Sequence, residues 1–191
     1  MPNLPTELSP RFIQFIEEQH MFFVATAAPD GEVNLSPKGL DTLRVLSPNR
    51  LVWLSLSGSG NETAAHLREA NRITMMFCAF QGRPMILRVY GSAETYHPRD
   101  AQWSELISLF PNLAGSRQIY DVTIKAIQTS CGSGIPFYDY RGPRGETELE
   151  PFYAKMGEDG VEAYWARKNQ VSIDGKPTGI FPAGHKLEQA Q

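Results

Sequence analysis

The sequence predicts a mainly β (α+β) fold in which the strands form an antiparallel barrel with flanking helices. Runs rich in strand-forming residues recur along the first two thirds of the chain, whereas helical patterns are few and do not alternate with the strands. Pro29-Asp30-Gly31 is a turn motif between two such runs, at residues 21–27 and 32–36, and it predicts a hairpin. These features favour a barrel over a doubly wound parallel sheet.

The N-terminal segment predicts one helix ahead of the hairpin and one strand after it. Ser9 is a favourable N-cap and Pro10 is tolerated in a first helical turn, so a helix is predicted to begin there. The apolar run at residues 51–56 predicts a third strand.

A glycine-rich loop follows this third strand and precedes a helix predicted over residues 62–69. Gly58 and Gly60 permit a close backbone approach to a ligand, and Asn61 is a favourable N-cap. Unpaired N–H groups and the helix dipole would suit a phosphate, with Lys38 as counter-charge. The loop lacks the Gly-Lys-Ser/Thr of a P-loop and the third glycine of a Rossmann fingerprint. From these residues alone, an ordinary turn and an anion site both stay open.

Three more strands and a helix complete a predicted barrel domain of residues 1–130. The strand at residues 85–96 is long enough to coil around a barrel, with Gly91 easing its bend. The other predicted elements are strands at 73–80 and 120–129 and a helix at 99–110. Residues 131–191 are predicted to form a C-terminal extension, with a helix at 161–169, packed on the barrel or on a partner subunit.

Composition and charge argue against several classes of protein. The 191 residues carry a net charge of −3 and a sequence pI near 5.8, without a basic cluster, so no nucleic-acid partner is expected. There is no apolar run of membrane-spanning length and no signal-peptide pattern, so no membrane partner and a cytoplasmic location are expected. The two cysteines are expected to be reduced, and no metal-binding motif occurs.

The order of the motifs resembles that of the pyridoxamine 5′-phosphate oxidase-like family, the FMN-binding split barrels. The resemblance covers roughly residues 10–130, and the tail resembles one branch of the family. It depends on Asn34-Leu-Ser-Pro-Lys-Gly39, Asn61-Glu-Thr-Ala-Ala-His-Leu67, the strand at 73–80, and Leu87-Arg-Val-Tyr-Gly-Ser-Ala-Glu94. It implies a six-stranded split barrel, a homodimer, and FMN in a groove between the subunits.

The resemblance also implies which residues bind FMN. Lys38 would serve the phosphate or the N1/O2 edge of the flavin ring. Arg88 or Arg68 would be a further cation for the phosphate, and the end of the last strand would approach the flavin from the partner subunit. Cys131 is either a reactive thiol or a small residue in a tight turn. The predicted cofactor-binding set is Ser36, Lys38, Gly39, Ser57, Gly58, Gly60, Asn61, Thr63, Arg88, Gln128, Ser130 and Cys131.

The activity implied by the resemblance is that of a flavin-dependent oxidoreductase acting on a small organic substrate by hydride transfer at flavin N5. Pyridoxamine phosphate is not the expected substrate, because the arginine- and histidine-bearing C-terminal segment that grips pyridoxal phosphate in the vitamin B6 oxidase is not seen in this sequence. Catalytic residues and the electron donor stay unassigned. The alternatives are an FMN carrier or sensor without turnover, and a haem- or deazaflavin-binding split barrel.

Overall fold

The computed structural model describes residues 4–182 and residue 184 of the chain. Within these residues the elements are, in chain order, α1 (Pro10–Glu17), β1 (Phe22–Thr26), β2 (Asn34–Lys38), β3 (Leu43–Ser47), β4 (Arg50–Leu56), α2 (Glu62–Glu69), β5 (Ile73–Cys78), β6 (Ile86–Tyr96), α3 (Trp103–Ile107), β7 (Ser116–Ser130), α4 (Arg144–Thr147) and α5 (Leu149–Lys168). Helix α1 begins where predicted, because the Ser9 hydroxyl accepts a hydrogen bond from the Phe12 N–H at 3.3 Å.

The strands form one antiparallel sheet in the order β2-β1-β5-β6-β7-β4-β3. The predicted hairpin is confirmed, with Phe22 of β1 opposite Lys38 of β2. Among the described strands, β2 and β3 are the outer members and are not hydrogen-bonded to each other, so the ladder does not close. The outer edge of β2, which pairs with no other described strand, is therefore free to line a cavity.

The expectation of six strands is wrong, because a seventh strand lies between β2 and β4 in the chain. Strand β3 pairs antiparallel with β4, with Leu43 opposite Trp53. It has only five residues, and none of them is fully buried. An edge strand of this kind lacks the apolar–polar alternation by which strands are recognised in a sequence.

Two predicted helices have different bounds in the structure. The helix expected at residues 99–110 is reduced to α3, because the Asp100 side chain accepts a hydrogen bond from the His97 N–H at 2.8 Å and holds a turn there. The helix expected at 161–169 is the second half of the longer α5, which breaks at Gly157 (φ 70°, ψ 174°). Because of this break, the part of α5 before Gly157 was not recognised as a helix in the sequence.

The main core is an apolar cluster on one side of the sheet. Trp53 of β4 stacks on Tyr120 of β7 with ring centroids 4.7 Å apart, and Phe22 stacks on Phe77 at 5.7 Å. On the other side, alternate residues of β4 pack against α3 and the segment after it, in a cluster of Val52, Leu54, Leu106, Phe110, Leu113 and Ile119. Strand β4 is thus buried on both faces, which fixes the position of the glycine loop that leaves its end.

The C-terminal extension contacts the β1–β2 turn and α2 of its own chain through charged groups. The Lys176 ammonium pairs with Asp30 in the β1–β2 turn at 2.5 Å and with Glu69 of α2 at 2.8 Å. The Asp174 carboxylate accepts a hydrogen bond from the Glu32 N–H at 3.0 Å. None of the helices in residues 4–182 is both long enough and apolar enough to cross a membrane.

Candidate functional site

A cavity of about 910 Å³ lies between the edge strand β2, the end of β4, the glycine loop and the segment 140–152 of the extension. A cavity of this size is typical of sites for small molecules and cofactors. It is lined by eight of the twelve residues predicted to bind a cofactor, namely Ser36, Lys38, Gly39, Ser57, Gly58, Gly60, Asn61 and Thr63.

Helix α2 presents its N-terminus to this cavity without the predicted side-chain cap. Asn61 occupies the N-cap position, but its side chain makes no capping hydrogen bond; it donates to the carbonyl oxygen of Asn169 at 3.3 Å. The side-chain cap expected from the sequence is therefore wrong: the extension holds Nδ2, and Oδ1, the atom that would cap the helix, has no hydrogen-bond partner among the described residues. The first-turn N–H groups of α2 are left without this side chain as acceptor. Glu62 also lines the cavity, and its carboxylate accepts from the Ile173 N–H at 3.1 Å.

The side chain of Ser57 is engaged within the protein. Its hydroxyl donates to the Gly115 carbonyl oxygen at 2.7 Å and accepts from the Trp165 indole N–H at 2.6 Å. Trp165 of α5 thereby ties the extension to the glycine loop. The loop therefore offers a ligand its backbone amides rather than the Ser57 hydroxyl.

A polar network lies where α2 meets the hairpin. Asn34 donates from its amide to the Thr63 hydroxyl at 3.2 Å and to the Thr26 hydroxyl at 3.1 Å. The Thr26 hydroxyl also contacts Nδ1 of the buried His66 at 3.1 Å. Asn34 lines the cavity. These contacts orient the Thr63 hydroxyl at the edge of the glycine loop.

Arg117 of β7 is a cation at the cavity that sequence reasoning missed. The side chain is only 5% exposed, and within the described residues it pairs with no carboxylate. It donates to Gly60 O and Asn169 Oδ1, both at 2.9 Å, while Nε has no hydrogen-bond partner. Burial lowers the pKa of this guanidinium, because the charged form is desolvated. A buried cation with spare donors and no acidic partner is a site for an anion.

A β-bulge aims Arg117 at the cavity. Opposite β4, Gln118 pairs with Ser55 and Ser116 pairs with Leu56, so Arg117 is the extra residue on β7. Bulges re-aim a side chain and are common next to functional sites. The only sequence feature that could have drawn attention to Arg117 is a charge within a strand-like run, and a bulge cannot be read from such a pattern.

Lys38 of β2 supplies a second positive charge to the same cavity. Burial lowers the pKa of its ammonium to about 8, with a smaller contribution from the repulsion of Arg117. Its Nζ lies 5.3 Å from the centroid of the Trp53 ring. Lys38 and Arg117 are therefore two positive charges that line one cavity beside the glycine loop.

The remaining four predicted residues are not among those lining the cavity. Arg88 donates to the Ser130 hydroxyl at 2.8 Å, and Gln128 accepts from the Tyr90 hydroxyl at 3.0 Å, so they form a separate polar cluster on β6 and β7. The Cys131 thiol is exposed, and hydrogen bonds to Ser133 lower its pKa. Their approach to a flavin from a partner subunit stays a prediction. Arg117 contacts the glycine loop through Gly60 O, whereas neither Arg88 nor Arg68 is among the residues that line the cavity of their own chain.

Cys78 of β5 lies in the core. Its side chain is buried, and burial raises the pKa of the thiol. The two cysteines therefore have opposite environments, and the thiolate is favoured only at Cys131.

Comparisons with known proteins agree with this fold. A family model described as pyridoxamine 5′-phosphate oxidase matches residues 8–131. The pyridoxamine 5′-phosphate oxidase family protein ustO of Aspergillus flavus is 31% identical over 193 residues, which cover 93% of this chain and 78% of ustO. That match therefore extends into the C-terminal extension.

Two crystal structures share the fold at low sequence identity. One, from Lactobacillus delbrueckii, is provisionally named a pyridoxamine 5′-phosphate oxidase; it is 17% identical with a TM-score of 0.53, covering 65% of this chain and 95% of its own. The other is HupZ of Group A Streptococcus, 17% identical with a TM-score of 0.52, covering 69% of this chain and 99% of its own.

Proposed function

Because the chain belongs to the pyridoxamine 5′-phosphate oxidase family, we propose that it binds FMN in the cavity beside the glycine loop and acts as a flavin-dependent oxidoreductase on a small organic substrate. The observation that carries this proposal is the pair of cations, Arg117 and Lys38, on one cavity without a carboxylate partner among the described residues. Keeping a charge desolvated is costly, and a bound phosphate would offset that cost.

The residues of the cavity fit the phosphate end of FMN. The Nε–H of Arg117 has no hydrogen-bond partner in the described part of the chain. The backbone amides of residues 58–60 line the cavity just before the N-terminus of α2, and Asn34 orients the Thr63 hydroxyl. Charge-assisted hydrogen bonds from a guanidinium to phosphate are among the strongest in proteins.

The cavity also offers groups to the flavin ring. Tyr120 is among the residues that line it, and its buried hydroxyl has no hydrogen-bond partner within the described residues and would be free to donate to a ligand. Strand β2 would run beside the ring, with Ser36, Lys38 and Gly39 on the cavity side. When bound, FMN supplies hydride transfer at N5, and the protein supplies binding, orientation and electrostatics. A protonated Lys38 would stabilise negative charge at the N1/O2 edge or on the phosphate.

A homodimer with FMN at its interface is part of this proposal. In that arrangement the polar cluster of Arg88, Gln128, Ser130 and Cys131 would approach the flavin bound by the partner subunit. The support is the family resemblance, together with the position of these residues outside the cavity of their own chain. A molar mass in solution equal to that of one chain would contradict it.

The absorption spectrum of the purified protein, with mass spectrometry of what is released on denaturation, tests the proposal. We expect flavin bands and a released mass equal to that of FMN. A Soret band would favour a haem protein instead, and a deazaflavin mass would favour that cofactor. If the protein neither retains FMN nor binds added FMN, the proposal fails.

Stopped-flow mixing separates an enzyme from a flavin carrier or sensor. Bleaching of the bound flavin by NADH or NADPH, followed by reoxidation on mixing with oxygen or an organic acceptor, is expected of an oxidoreductase. A flavin spectrum that persists in every donor would favour the carrier or sensor.

The lowered pKa of Lys38 predicts a pH dependence of FMN binding. The ammonium is charged below its pKa of about 8 and neutral above it, so the cation is present at pH 7 and lost by pH 9. We expect FMN affinity to fall by about three- to tenfold between these pH values, with the phosphate a dianion throughout. Calorimetric titration of wild type and Lys38→Met measures the effect. The fall in FMN affinity between pH 7 and pH 9 should be absent in the variant. An equal fall in both proteins would show that Lys38 does not contribute to FMN binding.

A further inference from the structure

Asn169 lies at the end of α5 and is the residue through which the extension reaches the glycine loop. The side chain is 0% exposed. Its Oδ1 accepts from Arg117 Nη1 at 2.9 Å, and its Nδ2 donates to the Gly58 carbonyl oxygen at 2.9 Å. Its own carbonyl oxygen accepts from Asn61 Nδ2 at 3.3 Å. The Asn169 side chain thus contacts both the buried Arg117 and the glycine loop.

The turn after α5 fixes the position of Asn169. The Asn169 N–H donates to the Trp165 carbonyl oxygen at 2.7 Å, and its carbonyl oxygen accepts from the buried Thr178 hydroxyl at 2.6 Å. The backbone is therefore held on both sides, so the amide side chain has a defined direction. This part of the chain lies beyond residues 8–131, which the family model matches.

The choice of an amide at this position has a chemical consequence. A carboxylate beside Arg117 would neutralise the guanidinium and compete with a phosphate for it. The neutral Oδ1 of Asn169 accepts one N–H of Nη1 and leaves the charge in place. With Gly60 O on the same nitrogen and the Ser55 hydroxyl 3.4 Å from Nη2, three acceptors orient the guanidinium, and Nε stays without a partner.

We propose that Asn169 is a positioning residue that orients Arg117 and the glycine loop for the FMN phosphate, so that the C-terminal extension completes the cofactor site. The inference rests on the proposed function, because it concerns the phosphate of the same flavin. Asn169 acts through Arg117 and Gly58, and its effect is therefore expected on phosphate binding rather than on the flavin ring.

The dissociation constants of FMN and riboflavin distinguish this role from a merely structural one, since the two ligands differ only in the phosphate. Flavin fluorescence titrations of wild type and Asn169→Ala measure both. We expect the variant to bind FMN about tenfold more weakly, the effect of one lost hydrogen bond to a charged group, and riboflavin with less than about a twofold change. Lys176→Ala is the matched control, because it removes the contacts of the extension with Asp30 and Glu69 without changing the glycine loop. It should change the dissociation constant of neither FMN nor riboflavin.

A second variant, Asn169→Asp, keeps the shape of the side chain and places a carboxylate beside Arg117. It decides the question if Asn169→Ala does not fold, and it too should weaken FMN binding by about tenfold or more while riboflavin binding is retained. Equal losses for FMN and riboflavin, or no loss for either, would overturn the inference while the proposed function stands. Wild-type protein that binds no FMN would overturn the proposed function, and this inference with it.

Discussion

Replacing Arg117 with methionine is expected to weaken FMN binding by about a hundredfold or more. The variant loses a buried cation whose hydrogen bonds to phosphate are charge-assisted, in a cavity where little solvent screens the charge. Apo stability should respond differently. Methionine leaves the carbonyl oxygen of Gly60 and Oδ1 of Asn169 without their donor, but it also removes a desolvated charge. We expect these effects to offset each other to within about 1 kcal/mol.

Calorimetric titration with FMN and thermal unfolding of the apo protein measure the two quantities. Arg117→Lys keeps the charge but lacks the planar fork, and it should bind FMN with intermediate affinity. Arg50→Met is the matched control, because Arg50 is an arginine on the neighbouring strand β4 that pairs with Asp121 at 2.7 Å away from the cavity. An Arg117→Met protein with wild-type affinity for FMN would show that the phosphate is bound elsewhere.

Replacing Gly91 with alanine is expected to destabilise the protein by about 3 kcal/mol. The ladder between β6 and β7 shifts register between Tyr90 and Gly91, and a methyl group at this buried position would overlap the backbone carbonyl oxygen of Thr123. It would also lie 3.2 Å from Cγ1 of Val122. A backbone oxygen of a central strand cannot move aside as the end of a flexible side chain can, so the strain stays in the sheet.

Thermal and urea unfolding measure this effect, and a fall in midpoint of about 6–12 °C corresponds to it. Gly134→Ala serves as the control, because Gly134 is exposed and a methyl group there would meet no atom within 4 Å. It should change stability by less than about 0.5 kcal/mol. If the two alanine variants unfold at the same temperature, the close approach at Gly91 is not present in solution.

Much of the architecture could be predicted from the sequence because it depends on local patterns. The cap at Ser9 and the hairpin around Pro29-Asp30-Gly31 both appear where expected. The glycine loop also lies on a cavity, as its residues suggested. In each case a few neighbouring residues are sufficient, since backbone dihedral preferences and side-chain capping act over one turn or less.

The predictions that failed concern contacts between distant parts of the chain. Strand β3 was missed because it is a short, half-buried edge strand whose burial does not alternate along its five residues. The Asn61 side chain donates from Nδ2 to the carbonyl oxygen of Asn169, far along the chain, and its Oδ1 does not cap α2. Arg117 was missed as a residue of the cavity, because the bulge in β7 that accompanies it cannot be read from a strand-like run.

The sequence by itself determined the class of fold, the family and the position of the glycine loop, because these follow from motifs read in order along the chain. Only the tertiary structure decided that Arg117 and Lys38 share the cavity and that Asn169 of the extension contacts Arg117. The physical reason is that a charge becomes a binding group through its burial and its lack of an acidic partner. Both depend on how β7, β2 and the end of α5 meet in space, which no local pattern records.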